Sequence, residues 1–298
     1  MDPTLPFPIA IADSVEALRA RIAAWRKTGE SVALVPTMGA LHEGHLSLVR
    51  TAREHADRVV VSIFVNPTQF SPNEDLARYP RTFDADCAAL ADLADLVFAP
   101  EPETMYPPGS CTMVQLKGPA TVELEDRFRP THFTGVATVV AKLLVQSLPD
   151  VAIFGEKDYQ QLKVIMRMAQ DLFLPVRILG GATVREPDGL AMSSRNRYLT
   201  PEERRRAPSL HSVMQACAAD VQAGIAPDEA VATAQRMLAE KGFAIDYLAL
   251  RDAATLEAPS SSTPSSSTPL PGTPLPGTPL RLLAAVRLGQ TRLIDNIP

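Results

Sequence analysis

His42 and His45 stand three residues apart in the run Thr37-Met38-Gly39-Ala40-Leu41-His42-Glu43-Gly44-His45. Around a turn that enters a helix, that spacing lets both imidazoles face one ligand. As hydrogen-bond donors they would stabilise charge growing on transferring or departing phosphate oxygens. The apolar run Val32-Ala33-Leu34-Val35 precedes the turn and the helix-patterned segment Leu46 to Ala56 follows it. A strand that feeds a helix through a glycine-bearing turn presents free N–H groups and a positive dipole end to an anion. An isolated HxGH also suits an ordinary surface turn. Pro36, Thr37 and Gly39 after a buried strand point instead to a polyphosphate site spanning Met38, Gly39, Ala40, Leu41, His42, Glu43, Gly44 and His45.

Three more segments carry suitable chemistry. In Phe64-Val65-Asn66-Pro67-Thr68-Gln69-Phe70, Asn66 and Gln69 offer neutral donors and acceptors for a small hydroxy acid. By itself the segment reads equally as an Asn-Pro turn. In Phe154-Gly155-Glu156-Lys157-Asp158, Gly155 permits close backbone approach and Lys157 is a point charge for phosphate. Asp158 there either caps the following helix or bonds a ligand, and Gln161 faces the same side one turn on. The loop Glu186 to Asn196 holds Met192, Ser193, Ser194 and Arg195, whose hydroxyls and guanidinium suit phosphate. Such loops are common on surfaces, so this one gains weight only from the upstream HxGH. No Cys/His or Ser/His/Asp nucleophile is evident.

The elements that must position these turns alternate. Helical periodicity marks Ser14 to Lys27, Leu46 to Ala56, Thr82 to Leu93, Phe133 to Ser147 and Tyr159 to Phe173. Between them lie the apolar runs Ser31 to Val35, Arg58 to Val65, Asp95 to Ala99, Val151 to Phe154 and Val176 to Leu179, with an irregular polar stretch from Asn66 to Arg81. Continuous rather than alternating apolar strands, separated by helices, predict a parallel sheet buried on both faces. That is a doubly wound, Rossmann-like α/β fold, with ligands at the carboxyl ends of the strands. The turns after Val35, Val65 and Phe154 are thereby expected to converge.

After about Glu186 the pattern changes. Two helices, Pro201 to Ala223 and Pro227 to Lys241, precede strands at Ile245 to Leu250, Leu282 to Leu288 and Thr291 to Asn296. The expected division is a nucleotide- and substrate-binding domain over 1–185 and a smaller α+β lid domain over 186–298. Pro259 to Pro279 repeats Ser-Ser-Ser-Thr-Pro and then Leu-Pro-Gly-Thr-Pro, with seven prolines, and reads as an extended surface loop.

With 298 residues, 46% of them hydrophobic, the chain can build such cores. A net charge of -5 argues against nucleic acid or an anionic membrane as partner. No apolar run reaches the length of a membrane span, and residues 1–12 lack the basic region of a signal peptide. Cys87, Cys111 and Cys217 lack metal spacing and read as reduced packing residues, which suits a cytoplasmic protein.

The HxGH turn with a later Met-Ser-Ser-Arg loop resembles the nucleotidyl-transferring α/β enzymes. More narrowly, PTMGALHEGH, FVNPTQF, NEDLARYPRT, HFTGVATVV, FGEKDYQQL, REPDGLAMSSRNRYL and AVRLGQTRLIDN resemble the pantothenate synthetase family in order and spacing, from about Ser14 to Asn296. The Pro259 to Pro279 insertion departs from the family, whose connection there is shorter. The resemblance implies an AMP-forming ligase that joins D-pantoate to β-alanine through a pantoyl adenylate, using ATP and Mg²⁺, and a homodimer. It implies that His45 donates a proton beside His42, that Gly155 to Asp158 contact the nucleotide with Lys157 on phosphate, and that Val184 lies against adenine. Met192 to Arg195 would close over the triphosphate, and Gln69 and Gln161 would hold pantoate, Gln69 also touching β-alanine. Asn66, Tyr79, Arg129 and His132 are nominated at the rim. The rival readings are a nucleotidylyltransferase acting on a phosphorylated small molecule, a regulatory protein with a decayed nucleotide site, and a tRNA synthetase fragment.

Overall fold

A computed structural model describes residues 7–72, 74–259 and 279–298. Its first part runs β1 (Ile11–Ala12), α1 (Val15–Lys27), β2 (Val32–Thr37), α2 (Glu43–Arg53), β3 (Arg58–Ile63), α3 (Phe83–Leu90), β4 (Leu96–Phe98), α4 (Pro102–Met105), α5 (Glu125–Phe128), α6 (His132–Ser147), β5 (Val151–Gly155), α7 (Tyr159–Asp171) and β6 (Arg177–Gly181). The strands form one parallel sheet in the order β1-β4-β3-β2-β5-β6. From β2 the chain winds outward through β3 to β4, which lies beside the edge strand β1, then returns to β5 and β6 on the other side. The carboxyl ends of β2 and β5 therefore flank the switch point where a doubly wound sheet opens a crevice.

Helices cover both faces, which is why the central strands are apolar without alternation. Val32, Ala33, Val35, Val59, Val60 and Val61 have no exposed surface. On one side α1 presents Leu18, Ile22 and Trp25, at the i, i+4, i+7 spacing of a single helical face. Ser14 caps that helix, its Oγ accepting the Ala17 N–H at 3.2 Å. Leu18 is wholly buried, so Leu18→Ala would cost about 2–5 kcal/mol, the transfer loss plus the cavity. On the other face α2 packs Leu48, Val49 and Ala52 with Ala33, Val35 and Ile153.

The second part comprises α8 (Pro201–Arg206), α9 (Ser209–Gln222), α10 (Pro227–Glu240), β7 (Ala244–Asp252), β8 (Leu280–Leu288) and β9 (Thr291–Ile297). Its strands form an antiparallel sheet in the order β7-β8-β9. Helices α9 and α10 bury Leu210, Val213, Met214, Ala234 and Leu238 against Leu248, Ala284, Val286 and Leu293. The opposite sheet face meets the larger unit through Leu283, which packs with Leu124, Tyr159 and Leu256. Burial on both faces explains why β8 reads as a continuous apolar run.

Several boundaries differ from those expected. The segment Pro201 to Ala223 is two helices, broken at Ala207 because Pro208 has no N–H to continue the ladder. Helix α2 begins at Glu43 rather than Leu46, so the HxGH run overlaps the first helical turn. Strand β3 stops at Ile63, and α3 stops at Leu90. Strand β1 and helices α4 and α5 were not anticipated, each being too short to show a period. Strand β7 extends to Asp252, which pairs directly with Leu280. The strands that flank the Pro259 to Pro279 insertion are thus paired neighbours, while 260–278, and the extended loop expected there, lie outside the described residues.

Candidate active site

The carboxyl ends of β2, β3 and β5 open into one cavity of about 220 Å³. The first turn contributes Met38, His42, Gly44 and His45 to its wall; the second contributes Asn66, Gln69 and Phe70. The third contributes Gly155, Lys157, Asp158 and Gln161, and the later loop supplies Val184, Met192, Ser193, Ser194 and Arg195. Tyr79, Arg129 and His132 complete the polar wall. Gly39, Ala40, Leu41, Glu43 and Glu156 are not on it. Ala40 is buried, Leu41 turns into the core beneath α2, and Glu43 is exposed and pairs with Arg50 at 2.7 Å. Glu156 points away and meets Arg281 at 3.1 Å.

The first turn is held by a device that no local pattern announces. Gly39 and Ala40 both adopt positive φ, 75° and 51°. The turn they make aims the neighbouring Ala40 and Leu41 N–H groups at one point, a backbone nest for an anion. The Asp86 carboxylate fills it, accepting from Ala40 N at 2.9 Å and Leu41 N at 2.8 Å, and from Thr82 Oγ1 at 3.1 Å. Nothing in the sequence around Asp86 marks it, because its partners lie on another crossover.

With the turn set, His42 and His45 cap α2 reciprocally. His42 Nδ1 accepts the Gly44 N–H at 3.1 Å, and His45 Nδ1 accepts the His42 N–H at 3.3 Å. An accepting Nδ1 carries no proton, so each neutral imidazole bears its hydrogen on Nε2. The rings lie 4.1 Å apart between centroids. Gly44 is required for this seat, since a Cβ there would come within 2.9 Å of the His42 ring. Burial, then Lys157 and Arg197, lower His42 to about 4. Burial, then His42 and Lys157, lower His45 to about 3. Both rings are therefore neutral at neutral pH, each with an Nε2–H to donate.

On the opposite wall Gln69 is oriented from both ends. Its Oε1 accepts from Asn66 Nδ2 at 3.2 Å and its Nε2 lies 2.9 Å from Met38 Sδ. Its carbonyl is approached by His132 Nδ1 at 2.9 Å and Arg129 Nη2 at 3.2 Å. Since a carbonyl only accepts, His132 carries its proton on Nδ1, and Nε2 accepts from Arg129 Nη1 at 3.2 Å. Burial, then Arg129, lower His132 to about 4, so it too is neutral.

Two contacts link the later loop to the first half. Ser194 Oγ donates to the Ala40 carbonyl at 3.0 Å. Arg195 grips Asp75 with Nε and Nη2 at 3.0 and 2.9 Å. Burial works to raise the Asp75 carboxyl, and the guanidinium outweighs it and leaves it below its usual value. The Lys157 turn is held from behind, Asn296 Nδ2 donating to the carbonyls of Glu156 and Lys157 at 2.9 and 2.8 Å. Asn296, like Asp86, was not foreseen. The apolar lining Val136, Val139, Val140 and Leu143 was missed as well, although the run HFTGVATVV signalled an apolar helix face. Of the cysteines, Cys87 and Cys217 are buried, their thiols pushed up to about 11 by burial, whereas Cys111, expected as a packing residue, is exposed.

Residues 10–298 match the family model described as pantoate-beta-alanine ligase. The chain is 52% identical to a pantothenate synthetase of Rhodopseudomonas palustris (strain HaA2), covering 98% of this chain and 99% of that protein. It is 55% identical to the pantothenate synthetase of Acidiphilium cryptum, covering 96% and 99%. Among solved structures it resembles pantothenate synthetase from Thermus thermophilus, with TM-score 0.86 and 44% identity over 97% of this chain and 99% of the other. It also resembles the Francisella tularensis pantoate-beta-alanine ligase complexed with beta-gamma ATP and beta-alanine, with TM-score 0.76 and 32% identity over 97% of each chain. A parallel α/β sheet whose switch point carries an HxGH turn facing a Ser-Ser-Arg loop, matched along nearly its whole length, belongs to the pantoate-beta-alanine ligase family.

Proposed function

We propose that this chain condenses D-pantoate with β-alanine in two steps on one cavity, with the following division of labour. The pantoate carboxylate attacks the α-phosphorus of ATP, and pyrophosphate leaves. The β-alanine amine then attacks the acyl carbon of pantoyl adenylate, and AMP leaves as pantothenate forms. A free carboxylate is a poor electrophile, and adenylation provides the leaving group; thereafter the protein needs to align reactants and neutralise phosphate charge. The observation that carries this reading is the single cavity shared by His42, His45, Lys157 and the Ser193–Arg195 loop with Gln69 and Gln161.

The neutral Nε2–H groups of His42 and His45 are suited to hydrogen-bond the phosphates as charge moves onto the departing pyrophosphate. Lys157 adds a fixed positive charge, and Gly44 and Gly155 let the backbone approach. A Cβ at Gly155 would meet only Leu48, so the space before it is open. Val184 lies where adenine would stack, and Met192 to Arg195 cover the triphosphate, Arg195 exchanging Asp75 for phosphate oxygens. Gln69 and Gln161 bond the hydroxyls and carboxylate of pantoate over the apolar floor of Val136, Val139 and Val140, with Gln69 also near β-alanine. Residues 186–298 serve as the smaller unit that carries the covering loop.

Among the described residues no group of three His, Cys, Asp or Glu could cage a metal ion. Mg²⁺ in phosphate chemistry is commonly held by substrate phosphates with one or two carboxylates. Asp158 lines the cavity and makes no ion pair among the described residues, so the site fits Mg²⁺ arriving on the triphosphate, where it would offset phosphate charge. No helix among the described residues is long and apolar enough to cross a membrane. We place the enzyme in the cytoplasm as a homodimer, a pairing supported by exposed apolar side chains such as Met113 and Leu148 on the larger unit.

The test is product analysis with ATP and Mg²⁺. Pantoate alone should release about one pyrophosphate per site, and AMP should appear only when β-alanine is added. Pyrophosphate release driven by a phosphorylated acceptor without pantoate would move the chain to the nucleotidylyltransferases.

A further inference from the structure

We propose that Glu125 is a positioning residue of the pantoate subsite, acting through Arg129 to hold Gln69 and His132 in register with the C-terminal sheet. This rests on the assignment of Gln69 to pantoate. Glu125 lies in the seam between the two units and is 7% exposed. Its carboxylate accepts from the Tyr247 hydroxyl of β7 at 2.9 Å and from Arg292 Nη1 of β9 at 2.8 Å. One helical turn on, Arg129 Nη1 approaches it at 3.6 Å. Its own N–H donates to Gln160 Oε1 at 2.9 Å, so the backbone beneath the carboxylate is pinned as well.

The burial of this charge calls for a reason beyond stability. A buried ion network loses as much in desolvation as it gains in attraction, and apolar replacements are often neutral or better. What such a network does supply is a single geometry. Arg129 is flanked by two carboxylates, Glu125 on one side and Glu74 on the other, the latter bidentate at 2.7 and 2.8 Å. Held in that plane, its Nη1 must point at His132 Nε2 and its Nη2 at the Gln69 carbonyl. The Nη1 donor enforces the Nδ1–H form of His132, and that proton makes the second bond to the same carbonyl. Gln69 thus receives two donors on its backbone and presents its side chain to the cavity. Tyr247 and Arg292, which do not line that cavity, are coupled to it by one carboxylate.

Glu125→Gln keeps the shape and an acceptor for Tyr247 and removes the charge facing Arg129 and Arg292. The expected result is a KM for pantoate raised about tenfold, the scale of a small misplacement of a substrate-holding group, with the KM for ATP within about twofold. Ring ¹⁵N shifts of His132 should report the Nδ1–H form in the parent enzyme and a tautomer mixture in the variant. Tyr247→Phe, which deletes one donor in the distant sheet, should move both readouts the same way by a smaller amount. A lowered Tm with unchanged pantoate KM and unchanged His132 tautomer would reduce Glu125 to a structural ion pair. If Glu125→Gln does not fold, an unaltered pantoate KM in Tyr247→Phe overturns the proposal equally. Gln69→Ala separates the premise: no change in its pantoate KM sinks the subsite assignment, while the tautomer measurement still judges Glu125.

Discussion

Asp86 and Ala40 are joined across 46 positions by a carboxylate that accepts the Ala40 N–H at 2.9 Å, with the Leu41 N–H beside it at 2.8 Å. The contact ties the first turn of α3 to the turn that seats both histidines of the cavity. Asp86→Asn retains the volume but turns an amide N–H₂ toward one of the two backbone donors. Hydrogen bonds to a charged group are worth about 1.5–3 kcal/mol, and an orphaned buried N–H adds to the loss. Asp86→Asn should therefore lower the unfolding midpoint by several degrees and depress pyrophosphate release as His42 and His45 shift. A variant with parental midpoint and parental adenylate formation would show that the nest holds itself.

His45→Ala should lower kcat by roughly 10²–10³, the effect of deleting one donor to developing charge. His45→Gln offers a neutral N–H at similar reach and should recover part of that loss at pH 7. Single-turnover pyrophosphate release distinguishes the two variants. Equal inactivity of both would return His45 to the role of an acid, against the lowering of its ring to about 3.

Stability should fall on mild acidification, and the sign follows from the histidines. His42 and His132 are held at about 4 and His45 at about 3, whereas in the unfolded chain each titrates near its ordinary value of 6.5. Below 6.5 the unfolded state therefore takes up protons that the folded state refuses. The stability of the neutral rings is complete above pH 6.5 and is lost as pH drops toward 4. The lowered carboxyls Glu74, Asp75 and Glu125 give stability that is present above their ordinary values of 4.5 and 3.8 and begins to be lost only below them. Denaturation midpoints should be flat from pH 8 to about 6.5 and decline between 6.5 and 5. A midpoint that rises over that interval contradicts the burial of neutral imidazoles.

Replacing 260–278 with a short Gly-Ser linker should leave kcat and the thermal midpoint nearly unchanged. Asp252 pairs with Leu280, and Ala253 N donates to Pro279 O at 2.9 Å, so the strands flanking the segment are held together without it. Loop closure depends only weakly on length, each doubling costing about 0.6 kcal/mol. An unfolded or inactive deletion variant would assign the insertion a role that its Ser-Thr-Pro repeats do not suggest.

Most of the sheet was legible because burial on both faces leaves a local signature. Val32 to Val35, Val59 to Val61 and Val151 to Phe154 are apolar runs too short for helices, and each ends at a turn bearing polar groups. The α8–α9 break at Pro208 and the single-turn helices α4 and α5 were missed, since one turn carries no period. The polar lining of the cavity was equally local: His42 with His45, Lys157, Gln161 and Ser193 to Arg195 each announce themselves within a few residues.

Residue types and short spacings were enough to select the sheet, the turns and most polar groups that line the cavity, because hydrophobic period and turn chemistry act over a few positions. Only the packed chain decided which nitrogen of each imidazole carries the proton, that Asp86 fills the nest, that Asn296 supports the Lys157 turn across 139 positions, and that Glu156 faces away. Those outcomes depend on which distant groups share a desolvated space, where an unpaired charge or N–H is costly, and no local pattern encodes that neighbourhood.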